Sequence, residues 1–99
     1  MAQPFDMRTD PEGVVWLSGE VDLAVVPRLL AAADDLHGRH ELVIDLSEVT
    51  FIDSSGIRAI VQLSRKVWCP TVLRNPSRPV QRVLELVGLD GHGGIRIES

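Results

Sequence analysis

Asp53-Ser54-Ser55-Gly56 brings a carboxylate, two hydroxyls and a glycine together where the apolar run Val49-Thr50-Phe51-Ile52 gives way to a helical pattern. Hydroxyls at such a point lie on a helix's first turn, where backbone N–H groups lack partners inside the helix. Those donors and the positive helix end favour an anion, so Ser54 is displayed as a phosphate acceptor. The same phosphate would face Asp53 and, from neighbouring strand ends, Asp22 and Asp45. Attraction and repulsion at one place suit a switch better than a store. Gly56 would give a partner access to the backbone, Ile57 an apolar contact, and Arg58 a place on the interface rim. The plainer reading makes Asp53 or Ser54 an N-cap, Ser55 a spectator, Gly56 a close-packing point and Arg58 an exposed helix arginine.

Other chemistries fit less well. Ser54, His92 and an aspartate could be arranged as a hydrolase triad, but Ile52 stands where a nucleophile elbow, Gly-x-Ser-x-Gly, has its first glycine. His37 and His40 lie three apart without convincing third and fourth ligands, so no metal is expected and solvated or helix-capping roles fit them. The glycines at 88, 91, 93 and 94 precede no Gly-Lys-Ser/Thr and make no phosphate loop. No cofactor is implied, and the reading is of a protein that is not an enzyme.

The 99 residues, 44% hydrophobic, suffice for one core and one domain spanning 1–99. No run approaches the roughly 20 apolar residues of a membrane helix, and the N-terminus lacks a signal peptide's pattern, so no membrane insertion and a cytoplasmic location are expected. One cysteine, Cys69, suits a reducing compartment and reads as a half-buried small hydrophobe. A net charge of −4 argues against direct nucleic-acid binding. Residues 1–56 hold three basic and eleven acidic side chains, net −8, whereas 57–99 hold seven and three, net +4. If the acidic half surrounds the serine motif, the domain is a dipole able to orient a partner; otherwise the imbalance is an uneven solvated surface.

The elements that must position Ser54 follow from Gly, Pro and periodicity. A weak strand over Phe5–Thr9 turns at Asp10-Pro11-Glu12-Gly13 into Val14-Val15-Trp16-Leu17, an apolar run that predicts a strand covered on both faces, closed by Gly19-Glu20-Val21-Asp22. Leu23, Val26, Leu29, Leu30, Ala33 and Leu36 predict one amphipathic helix, with Asp22 as N-cap and Gly38 beyond its end. Leu42–Leu46 is a short buried strand, 47–50 a connection, and 54–67 a helix turning Ile57, Ile60, Val61 and Ser64 inward. Pro70–Leu73 is a strand, Ser77 caps a helix carrying Val80, Val83, Leu84 and Val87 up to Gly88, and Ile95 and Ile97 mark a terminal strand. Trp16 reads as structural, and Trp68 as a cover for the core in preference to an exposed contact. The fold class is α/β, with a mixed, mostly parallel sheet of four or five strands and helices packed on it.

Three blocks carry a family resemblance across the chain. They are Leu17-Ser18-Gly19-Glu20-Val21-Asp22, the stretch from Leu42 through Asp45, Asp53 and Ser54 to Ile57, and Asn75-Pro76-Ser77-Arg78-Pro79 through Leu84 to Leu89. In that order and spacing they resemble the STAS domain family, in particular its stand-alone bacterial anti-sigma factor antagonists. The resemblance implies that Ser54 is phosphorylated by an anti-sigma factor that is a serine kinase, with Ser55 its unmodified neighbour and Asp22 the strand-end acid beside it. It also implies that the unmodified form binds the anti-sigma factor and frees a sigma factor for transcription. Phosphorylation then releases the kinase until a serine phosphatase resets the chain. The alternative within the family is a scaffold, or a binding subunit of a membrane transporter ATPase, with Ser54 unmodified.

Overall fold

The computed structural model describes residues 4–99 and contains a five-stranded sheet in the order β1-β2-β3-β4-β5. The strands are β1 (Asp6–Thr9), β2 (Val15–Val21), β3 (Leu42–Ile52), β4 (Thr71–Arg74) and β5 (Ile95–Glu98). The Asp10–Gly13 turn makes β1 antiparallel to β2, and every later pairing is parallel. Asp10 holds that turn with its carboxylate, which accepts from the Glu12 and Val14 N–H groups and from the Trp16 indole, each at 2.9 Å.

Each parallel connection carries a helix and steps one strand in the same direction. A constant crossover hand therefore puts the helices on one face of the sheet. These are α1 (Val26–Ala31), led by a 3₁₀ turn at Leu23–Val25, then α2 (Ala33–Leu36), α3 (Ser54–Val67) and α4 (Arg78–Leu86). One core lies between the layers, with Leu17, Leu29, Ile44, Leu46, Ile60, Leu63, Leu73 and Leu84 fully buried. The mixed, mostly parallel sheet of the sequence reading is therefore present.

Several expectations are corrected. β2 alternates between buried and half-buried residues and is not covered on both faces, because the second face has no helical layer. Its cover is side chains in register: Trp16 lies opposite Asp45, and Asp45 opposite Arg74. The Arg8 and Arg74 guanidinium carbons sit 4.9 and 5.4 Å from the Trp16 ring centroid, so the indole is structural, flanked by two cations. Asp45, expected at a strand end facing Ser54, is instead sealed in mid-strand, accepting from Arg74 Nε at 2.8 Å, Ser47 N at 2.9 Å and Asn75 Nδ2 at 3.2 Å.

The connection expected at 47–50 belongs to β3, which runs 11 residues and carries the chain up to the serine motif. The helix expected over 23–36 is broken into three short pieces. Pro27, which has no N–H to donate, occupies the first turn of α1, and its place there fixes the start of that helix after the 3₁₀ turn. Leu23 consequently misses the core face and is 70% exposed. Trp68 is not a core cover either. It caps α3 in the left-handed conformation at φ 60°, donating its N–H to Ser64 O, and is 89% exposed. The acidic half does not gather around Ser54, since Asp10 and Glu12 lie in the β1–β2 turn, at the opposite end of β2 from Asp22.

Burial alone would push the Asp45 carboxyl up, but the hydrogen bonds from Ser47, Arg74 and Asn75 together hold it below the usual carboxylate range. A depressed folded pKa contributes stability that is complete above the unfolded value of about 4 and is lost as pH falls through the folded value. Urea unfolding at pH 7 and pH 3 checks this: wild type is expected to lose more stability across that interval than Asp45→Asn, which has no carboxylate to protonate there.

Candidate functional site

Parallel pairing ends β2 and β3 side by side, Val21 opposite Ile52. The next residue on each strand is an aspartate in extended conformation, Asp22 at φ −131° and Asp53 at φ −118°. Each turns its carboxylate back onto its own chain as an N-cap, Asp22 Oδ1 accepting from Ala24 N and Asp53 Oδ1 from Gly56 N, both at 3.0 Å. Two capped turns thus rise from adjacent strand ends, and the first residue of the longer one is Ser54.

Their closeness depends on Gly56. The first turn of α3 folds over the end of β2, and Asp53 N donates to Val21 O at 3.4 Å. A Cβ on Gly56 would stand 2.2 Å from that same Val21 oxygen, far inside contact distance. Gly56 is buried, so it serves the helix–strand approach and offers a partner no backbone access. Ile57, 7% exposed, belongs to the core and is likewise no surface contact. Ser54 and Arg58 are exposed, and Ser55, Asp22 and Asp53 are half-buried.

The electrostatics differ from those of an empty helix N-terminus. Asp53 already takes the Gly56 N–H, and its carbonyl takes that of Ile57 at 3.0 Å. A phosphate on Ser54 would find fewer first-turn donors than the sequence suggests, while Asp53 remains in place with Asp22 on the neighbouring strand end. The balance moves toward repulsion.

Two residues beside this edge escaped the sequence reading, Leu23, which follows Asp22, and Phe51, which pairs with Glu20 and is 49% exposed. The legible signal was Pro27, which breaks the helical period that would have buried Leu23. Phe51 had none, because strict alternation from the buried Val49 would turn it inward, and it is the register shift between Gly19 and Glu20 that turns Phe51 outward and Ile52 inward. His37 and His40 are exposed, and among the described residues no group of three or more His, Cys, Asp or Glu could hold a metal ion.

The family model described as "Mlab, STAS domain" matches residues 6–97. The chain belongs to the STAS domain family. Among solved structures, the anti-sigma factor antagonist SpoIIAA in its unphosphorylated form aligns with a TM-score of 0.71 at 21% identity, over 97% of this chain and 89% of that one. An anti-sigma factor antagonist from Mycobacterium paratuberculosis gives 0.68 at 26% identity, over 97% and 90%. The Bacillus cell fate determinant SpoIIAA in its phosphorylated form gives 0.58 at 19%, over 97% and 92%. No curated protein matches this sequence. This STAS chain therefore shares the fold of stand-alone anti-sigma factor antagonists.

Two substitutions test the construction of the site. Gly56→Ala is expected to destabilise by at least the roughly 1–3 kcal/mol of an overpacked contact, since a backbone oxygen stands in the way. Asp53→Ala removes a cap worth about 0.5–2 kcal/mol and is expected to fray the start of α3 first. Chemical denaturation and amide exchange at residues 54–58 read both.

Proposed function

We propose that this STAS domain is an anti-sigma factor antagonist. In this reading the unmodified chain binds a serine-kinase anti-sigma factor and frees a sigma factor for transcription. Phosphorylation of Ser54 ends the complex, a serine phosphatase restores it, and the chain catalyses nothing itself. It works in the cytoplasm, and among the described residues no helix is long and apolar enough to cross a membrane.

The observation that carries the reading is an exposed serine opening α3 directly after one capping aspartate, Asp53, with a second, Asp22, at the neighbouring strand end, on a fold whose neighbour SpoIIAA occurs in unphosphorylated and phosphorylated forms. The surface consists of Asp22, Asp53, Ser54, Ser55 and Arg58, with Gly56 and Ile57 supporting it from beneath. Release follows from charge. A phosphoserine brings about −1.5 to −2 charges into an interface fitted to a neutral hydroxyl, where it loses hydration and meets Asp22 and Asp53. A cost of roughly 4 kcal/mol lowers affinity about a thousandfold, so no refolding is required.

Incubation with serine-kinase anti-sigma factors of the same organism and ATP, followed by mass mapping, is expected to place one phosphate on Ser54 and none in Ser54→Ala. Ser54→Ala should keep its affinity for the kinase and Ser54→Asp should lose at least about tenfold. Equal affinity of the two variants, with Ser54 unmodified, would favour the unregulated scaffold or transporter-associated subunit.

A further inference from the structure

We infer that Leu23 and Phe51 are the apolar anchors by which a protein partner grips the Ser54 edge, and that this partner presents an apolar hollow rimmed by lysine or arginine. The inference rests on the reading of Ser54 as the residue whose phosphorylation ends partner binding. Leu23, Phe51, Trp68, Leu86 and Val87 are the exposed large apolar residues among those described, and two of them flank this edge.

Their places are fixed by the backbone. Leu23 opens a 3₁₀ turn that touches α3, and Phe51 stands three residues before Ser54 beside Glu20 on the neighbouring strand. Neither is needed for the core at that end of the sheet, which Val21 and Ile52 fill. Asp22 precedes Leu23 in the chain, Asp53 follows Phe51 by two residues and Glu20 pairs with Phe51, so the edge is apolar at two points with an acid next to each. Apolar points desolvated at the centre of an interface supply affinity, and the acids select a cationic rim. A second copy of this chain fits poorly, since a two-fold contact would set these carboxylates against themselves. The anchors also explain why a phosphate is so effective here. They seat the partner's wall over Ser54, where an added group has neither room nor water.

The test measures binding of purified serine-kinase anti-sigma factors to Leu23→Ser, Phe51→Ser, the double variant and Leu86→Ser, with Ser54→Asp in parallel and thermal melts confirming folding. Leu23→Ser and Phe51→Ser are each expected to weaken binding by about tenfold or more, the double variant roughly multiplicatively, and Leu86→Ser by less than about twofold. Changes within about twofold for Leu23→Ser and Phe51→Ser, while Ser54→Asp still weakens binding, would overturn the anchors and leave the phosphorylation reading standing. The reverse pattern would support the anchors and remove the switch. Absence of binding by any kinase would overturn both, and a dimer of the chain that the double variant dissolves would make a second copy the occupant, against this proposal.

Discussion

The contact between the first turn of α3 and the last carbonyl of β2 is the constraint on which the rest depends. At Gly56 a helix and a strand approach too closely for any side chain, and that approach sets the start of α3 over the end of β2. Ser54 stands next to the Asp22 turn because of it. A larger residue would lift the helix and part the two capped turns, so the glycine's part in function is indirect. It positions, and in the proposed function the neighbouring serine is what a partner meets.

Two kinds of support hold this edge in place. On the buried face, Ile57, Ile60 and Leu63 tie α3 to the sheet within one apolar core. On the open face there is no second helical layer, and the row of Arg8, Trp16, Asp45 and Arg74 takes its place. Removing Arg74 would leave a sealed carboxylate without its cation, which costs far more than the pair contributes. The row therefore pins β2, β3 and β4 at Trp16, Asp45 and Arg74, and two register shifts in β3 beyond it, between Trp16 and Ser18 and between Gly19 and Glu20 on the β2 side, bring Val21 opposite Ile52.

Much of this was legible in the sequence. Residues 54–67 follow helical periodicity from cap to cap, and the order of strands and crossovers leaves few topologies open. The acidic caps at Asp22 and Asp53 could be read because a carboxylate before a helix has a local role. What could not be read depends on the third dimension. Leu42–Leu46 looked like a short strand because β3 continues through polar residues, which pairing with β2 holds extended. Leu23 and Trp68 looked like core residues because apolar spacing is blind to a proline that restarts a helix and to a left-handed cap that turns an indole outward. Gly56 read either as an opening for a partner or as a close-packing point, and only the distance to Val21 decides for the second.

Affinity and its loss then have separate origins. In the proposed function, apolar and acidic groups fixed by the backbone favour one kind of partner, whereas a single hydroxyl decides whether that partner can stay. Because the caps and the glycine contact already hold the edge rigid, added charge acts where it is placed and needs no change of fold. The most direct measurement is made on protein carrying authentic phosphoserine at position 54, comparing its kinase affinity and its backbone amide spectrum with those of the unmodified chain. The account predicts affinity lower by about a thousandfold, with spectral changes confined to residues near 22–25 and 51–58. Undiminished affinity, or a loss accompanied by shifts throughout the sheet, would contradict it.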